Sequence, residues 1–383
     1  MACPDCGADA KFINYLPRTL ETLYGLVTVQ RAYYHCPDCG GHVPWDRELG
    51  LDDSRQSPGL QPLVGLVGTL MPFGKGEDVL RRLSGVRLSD STVRRRTEEA
   101  GLDLRERHQA GEAVRPPAGQ RPWNLTLPDR DEHSFAGTVA YVGLDAFAVP
   151  IRGPHGQGIG YRMLYTGVLY DPRKKHTVYV ADFDHEAAAT QLRRYAAALR
   201  LGAADTLVAL TDAGHGLEEA LRRCCSGALV FVLDFYHAAE HLHTFAQAWH
   251  GRDSPVGRAW VEEAKGLLRE SGGAVLLEQL QQLVFGPETA AAVLEEWRLL
   301  LGYVRDNVHR MAYPTYRARG WDIGSGPTEA GCKVLSGRLK GTGMRWCVCG
   351  SEQVAALRAL DASGEGLWDA FWEQRRLRNY QRN

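Results

Sequence analysis

The sequence predicts an α/β protein whose sheet is preceded by two small modules, and three observations lead there. Two Cys-x-x-Cys pairs bracket a strand-like pair within the first 50 residues. An arginine-bearing helical stretch follows. After a proline-rich segment, short apolar strands then alternate with amphipathic helices, which is the pattern of a mixed sheet covered by helices.

Composition bounds the rest. The 383 residues suffice for two or three domains, and 44% hydrophobic with 24% charged residues is ordinary for a globular chain. The net charge of −1 gives no global basic field. Local balances differ: residues 79–107 carry eight arginines against five acids, and residues 310–383 carry twelve Lys/Arg against seven acids. No apolar run approaches ~18 residues and no signal-peptide pattern opens the chain, so a cytoplasmic protein is expected. Nine cysteines, an odd number, argue for a reducing compartment and a metal site rather than a disulfide framework.

Residues 1–50 hold Cys3-Pro4-Asp5-Cys6 and Cys36-Pro37-Asp38-Cys39, with Arg18 to Gly25 and Leu26 to Tyr34 reading as strands around a glycine turn. Two cysteine knuckles joined by a hairpin make a zinc ribbon. Four thiolates, Cys3, Cys6, Cys36 and Cys39, suit structural tetrahedral Zn²⁺, and so small a module needs the ion to fold. Arg31 and its aromatic neighbours are candidate DNA contacts.

Residues 51–108 read as helical. Leu60, Leu63, Val64, Val67 and Leu70 recur at helical spacing, then 76–85 and 88–96 form two helices around Gly85. A short glycine turn between two helices predicts a helix-turn-helix, with Arg94, Arg95 and Arg96 on the helix that would enter a major groove. Residues 109–135, with Pro116, Pro117, Pro122 and Pro128, read as a linker.

Beyond it, strands are expected at 138–151, 161–170 and 176–182, a helix at 186–201, a strand at 206–211, a helix at 216–223 and a fifth strand at 228–233. That order matches a ribonuclease-H-like fold. Residues 238–312 read almost wholly as helix, with Trp249, Trp260 and Trp297 as core anchors, and 327–378 returns to helix.

Three acids stand where such a fold needs them. Asp145 interrupts the first apolar strand, where an unpaired charge is costly unless it faces a cleft or a cation. Asp212 ends the fourth strand, and strand carboxyl ends are where open α/β sheets place their sites. Glu329 opens a late helix after the turn Gly324-Ser325-Gly326-Pro327, with Pro suited to the first helical positions. Converging carboxylates repel unless divalent cations neutralise them, and hard oxygen ligands suit two Mg²⁺ or Mn²⁺ ions. Such a pair activates water or a 3′-hydroxyl at a phosphodiester.

The fifth strand runs into Asp234-Phe235-Tyr236-His237, an Asp-x-x-His motif. With the helical stretch, the Ser-Gly-x-x-Glu turn and Gly341-Thr342-Gly343-Met344-Arg345-Trp346, it resembles bacterial insertion-sequence transposases of the DDE class, of the ISKra type allied to the Mutator-like superfamily. The resemblance spans roughly residues 138–375. It implies a catalytic domain at 136–240 and 320–383, a helical insertion at 241–319, metal ligands Asp145, Asp212 and Glu329, and Asp234 and His237 beside the site. Ala146-Phe147 after Asp145 departs from the glycine expected there. Two other readings stay open: Asp234 as a further ligand, and His237 binding zinc with His241. Lys333, Arg338, Lys340, Arg345 and Trp346 fit phosphate contacts and base stacking. The implied protein binds transposon ends and target double-stranded DNA as a homodimer or larger assembly, cleaves 3′ ends and transfers strands. The alternatives are a catalytically inactive DNA-binding regulator and a structure-specific nuclease of the same fold.

Overall fold

The computed structural model describes residues 1–49, 51, 54–128, 137–153, 158–212, 214, 216–225 and 229–381. It divides into two compact units, one of Met1–Gln120, Val149–Arg162 and Leu335–Asn383, the other of Arg121–Ala148 and Met163–Val334.

The first unit opens with a hairpin of β1 (Lys11–Thr22) and β2 (Gly25–Cys36), antiparallel, to which β3 (Gly40–His42) adds. Gly25 sits at φ 97°, a conformation that favours glycine, which is why the turn falls there. After α1 (Pro44–Glu48) come α2 (Gln61–Leu70), α3 (Phe73–Ser84) and α4 (Asp90–Gln109). Leu60, Val64, Val67, Leu80 and Val93 bury together and hold these three helices. Gly85 terminates α3 at φ 70°, and Ser89 caps α4 by accepting from the Thr92 N–H at 3.3 Å. α13 (Val348–Ala362) lies against α4, where Gly101 leaves room for the Gln353 backbone, and α14 (Leu367–Gln381) completes the unit.

The second unit holds a mixed five-stranded sheet in the order β6-β5-β4-β7-β8, built from β4 (Val139–Arg152), β5 (Ile159–Tyr170), β6 (Thr177–Asp182), β7 (Thr206–Thr211) and β8 (Leu229–Leu233). β5 and β6 are antiparallel, whereas β4, β7 and β8 run parallel. α5 (His185–Ala198) crosses from β6 to β7, and α6 (Leu217–Cys224) from β7 to β8. These elements lie within a few residues of the expected ranges. Ala228, expected to begin the fifth strand, lies outside the described residues.

From β8 the chain enters α7 (Phe235–His250), α8 (Pro255–Ser271), α9 (Gly273–Gln281), α10 (Ala291–Asn307) and α11 (Tyr313–Ala318). An aromatic cluster seals them: Phe245 meets Trp249 at 5.4 Å and Trp260 at 5.2 Å, and the Trp297 indole donates to the Leu280 carbonyl at 2.9 Å. α12 (Gly326–Leu339) follows. Of the segment expected as a linker, Val114, Trp123 and Leu127 are buried, and residues 129–135 lie outside the described ones. Among the described residues no helix is long and apolar enough to cross a membrane.

Candidate functional site

Strand register assembles the acids. Leu144 pairs with Thr211, and Thr211 pairs with Leu233, so the next residue of each chain segment, Asp145, Asp212 and Asp234, arrives at one level of the sheet edge. This is the carboxyl end of β7 and β8, where their parallel neighbour β4 runs on past the pairing, and strand carboxyl ends are the usual place for a site in an open α/β sheet. A cavity of about 210 Å³ opens there, lined by Asp145, Asp212, Asp234, His237, Glu240 and Glu329.

Burial pushes the Asp145 carboxyl above the usual carboxylate range, and the nearby Asp212 and Glu329 charges add to it. The Ala146 N–H, donating at 2.6 Å, and the Cys332 thiol, at 3.3 Å, oppose that rise. Asp212 accepts from the Gly214 N–H at 2.9 Å. Glu329 is exposed in the first turn of α12, with the Lys333 ammonium 3.8 Å away. The three acids share the cavity without clustering tightly. Among the described residues, only the cysteine groups of the N-terminal hairpin bring three or more ligand atoms within 4.8 Å of one another. His215, adjacent to this loop, lies outside the described residues.

Small residues bring α12 to the sheet. A Cβ at Gly143 of β4 would strike the Thr328 hydroxyl, and one at Gly331 would lie 2.6 Å from the Tyr179 ring. Asp234 fixes the turn before the helix. Its Oδ1 accepts from the Tyr236 and His237 N–H groups at 2.6 and 2.9 Å, capping α7, and its Oδ2 accepts from the Ser325 N–H at 2.7 Å. With 2% exposure and both oxygens engaged by backbone donors, Asp234 is a positioning residue. It still lines the cavity with the other acids, as expected of a residue beside the site.

The helical stretch before α12 folds back onto the same edge. Arg310, 5% exposed, donates to the Thr211 hydroxyl at 3.1 Å and to the Asp212 carbonyl at 3.4 Å, and lies 3.4 Å from the Glu218 carboxylate. Sequence reasoning missed Arg310 because its partners lie about a hundred residues upstream and no local pattern marks it. The His237 Nδ1 lies 3.4 Å from the Glu240 carboxylate. Its ring meets His241 at 5.3 Å, and His241 stacks on Tyr303 at 3.8 Å. Burial, and then the neighbouring His237, pull the His241 pKa below its ordinary value. His237 and His241 gather no third ligand among the described residues, so the paired-histidine zinc reading finds no support.

The arginines of the first unit separate by environment. Arg94 and Arg95 are exposed, while Arg96 is half-buried and pairs with Glu99 at 2.7 Å. A cleft of about 500 Å³ is lined by Arg18, Arg55, Arg87, Arg95 and Arg96, with Glu21 its acid. Lys333, Lys340 and Arg345 are exposed. Arg338 and Trp346 are not: they are 3% and 7% exposed, the guanidinium donating to the Gly68 carbonyl and the indole to the Leu339 carbonyl at 2.9 Å. They are therefore interior residues and not the exposed side chains expected. Arg31 is likewise buried against the Asp46 carboxylate and is not an exposed contact.

Cys3, Cys6, Cys36 and Cys39 place their sulfurs within 4.8 Å of one another, with Cys6 and Cys36 3.6 Å apart. A tetrahedral ion with bonds of ~2.3 Å sets its sulfurs about 3.8 Å apart, so this donor set fits Zn²⁺. Burial alone would raise the Cys3 thiol. The Asp5 and Cys6 N–H groups and the Cys6 and Cys36 thiols outweigh it and bring Cys3 down to about 6, favouring the ligating thiolate.

No protein-family model matches the chain. It is similar to a UPF0236 protein in the vanSb 3′ region of Streptococcus gallolyticus, at 23% identity over 379 residues, covering 93% of this chain and 74% of that protein.

Proposed function

We propose that the chain is a DNA transposase of the DDE class, with a ribonuclease-H-like core, that binds transposon ends and joins them to target DNA. The observation that carries this reading is the meeting of Asp145, Asp212 and Glu329 in one cavity where the β4–β7 pairing ends. The strand order β6-β5-β4-β7-β8 supports the core assignment.

The donor set fits the expected cation: three carboxylates, one pushed toward protonation by burial and then by the charges of the other two, are hard oxygen ligands with charge to neutralise. When bound there, Mg²⁺ or Mn²⁺ would supply Lewis-acid activation of water or a 3′-hydroxyl. The chain's own residues do the rest. Asp234 and Arg310 hold the turns that carry Glu329 and Asp212. With Nδ1 facing Glu240, His237 keeps Nε2 for a phosphate oxygen.

Binding falls to the arginine cleft beside α4, where α3, the Gly85 turn and α4 support a helix-turn-helix reading. Five arginines against one acid suit a phosphate backbone. The test is a cleavage and joining assay on DNA carrying the inverted repeats that flank the gene. Glu329→Gln is expected to abolish nicking and joining while end binding persists. Joining by that variant overturns the assignment, and binding by the unmodified chain with no nicking in Mn²⁺ favours the regulator.

A further inference from the structure

Arg338 is 3% exposed, yet among the described residues no carboxylate pairs with it. Its Nε and Nη2 donate to the Gly68 carbonyl at 3.2 and 2.8 Å, and its Nη1 meets only the Met344 thioether at 3.9 Å. The rings of Phe73 and Trp346 flank it at 5.0 and 4.9 Å. Such faces attract a cation, but they do not replace a counter-ion. Burial, and then the Arg358 charge, bring its pKa down to about 10.

This guanidinium lines a cavity of about 300 Å³, at the lower end of the range for small-molecule sites. Exposed Arg94, Arg152 and Arg345 also line it, and Phe73, Met344 and Trp346 form its apolar wall. Glu98 is the acid of the lining, 4.0 Å from Arg94, and burial pushes its carboxyl up. Four arginines against one acid call for an anion, and the apolar wall calls for a flat, weakly polar group attached to it. A nucleotide carries both.

We infer that this cavity takes one unpaired nucleotide of a DNA strand, its phosphate on Arg94, Arg152 and Arg345 above Arg338 and its base against Phe73 and Met344. The inference rests on the DNA reading of the chain and narrows it: duplex would meet the arginine cleft, whereas a frayed or cut strand end would enter here. It also accounts for the burial of Arg338 and Trp346, which form the floor and wall of a pocket.

The test measures binding of fluorescent single-stranded (dT)6 to the full chain, against an abasic hexamer of equal charge and against inorganic phosphate as competitor. Wild type is expected to prefer (dT)6 over the abasic chain by about tenfold, and Arg152→Ala or Arg345→Ala to weaken (dT)6 binding by about tenfold. Both variants alter exposed side chains, so folding is retained and checked by melting temperature. Phe73→Leu is expected to bring (dT)6 to the abasic level. Equal affinity for the two hexamers, or competition by phosphate that leaves no gain from the bases, overturns the nucleotide assignment. Unchanged (dT)6 binding in both arginine variants overturns the location. Nicking of end DNA by the unmodified chain in Mn²⁺ is measured beside (dT)6 binding, so a protein that binds as expected here yet cannot nick DNA loses only the catalytic reading.

Discussion

The Asp234 carboxylate joins two segments 91 residues apart, accepting from the Ser325 N–H at 2.7 Å on one oxygen while the other caps α7. Asp234→Ala should therefore cost both a helix cap and a satisfied buried N–H, about 2–4 kcal/mol together. Asp234→Asn should recover only the cap, because its amide nitrogen has no lone pair for Ser325. Melting curves for the pair test this. Equal destabilisation by Asn and Ala would show that the Ser325 bond dominates, and no effect of either would remove the positioning role.

Much of this was legible in the sequence, because each acid follows an apolar run: Leu144-Asp145 inside β4, Thr211-Asp212 and Leu233-Asp234 at the ends of β7 and β8 announce themselves by a charge after buried residues. What separated their roles was not. All three line the cavity, but Asp234 alone has both oxygens engaged by backbone donors, one at the start of α7 and one from a turn far along the chain. Arg338 and Trp346 misled for a related reason. A basic, aromatic tract looks like a DNA-contact surface until long-range partners such as Gly68 turn it inward.

Gly331 lies inside α12, where alanine ordinarily stabilises a helix by roughly 0.5–1 kcal/mol. Here a Cβ would stand 2.6 Å from the Tyr179 ring, so Gly331→Ala should instead destabilise by about 1–3 kcal/mol. The sign of the change in melting temperature decides it. Gly331→Ala combined with Tyr179→Ala should remove much of the penalty.

His241 is half-buried, with its pKa pulled down first by burial and then by His237, while Glu240 acts the other way. A lowered folded pKa means the fold keeps His241 neutral. Its contribution is fully present above the unfolded value near 6.5 and is lost as pH falls from there toward the folded value. His241→Phe, which keeps a ring against Tyr303, should flatten that part of the acid-side loss of stability. Melting temperatures of the two proteins should converge or cross between about pH 7 and 5. A constant offset across that window would exclude His241 as the titrating group.

The four-thiolate group predicts one zinc per chain, measurable by elemental analysis of purified protein. Cys36 is fully buried among the ligands, so Cys36→Ser should lose most of the bound zinc and the order of the β1–β2 hairpin. A strong chelator should reproduce the effect. Retention of stoichiometric zinc by Cys36→Ser would exclude this site.

Arg310 links the helical stretch to the end of β7, and its guanidinium serves Thr211, the Asp212 carbonyl, Asn307 and Glu218 at once. Only a planar fork reaches so many acceptors, so lysine cannot replace it. Arg310→Ala should strand Glu218 in a half-buried setting and release the Asp212 backbone. The removal of one partner from a buried pair costs about 3–5 kcal/mol, reduced here because the Glu218 side chain is 15% exposed and keeps Arg222 at 2.5 Å. Arg310→Lys should fold better than Arg310→Ala and, on the proposed transposase reading, nick DNA poorly, since a single ammonium cannot hold the Asp212 carbonyl while engaging Thr211 and Asn307. Strand nicking measured beside the melting temperature separates the two roles. If Arg310→Lys restores nicking in proportion to stability, Arg310 is a tether alone. If stability returns and nicking does not, it sets the position of Asp212.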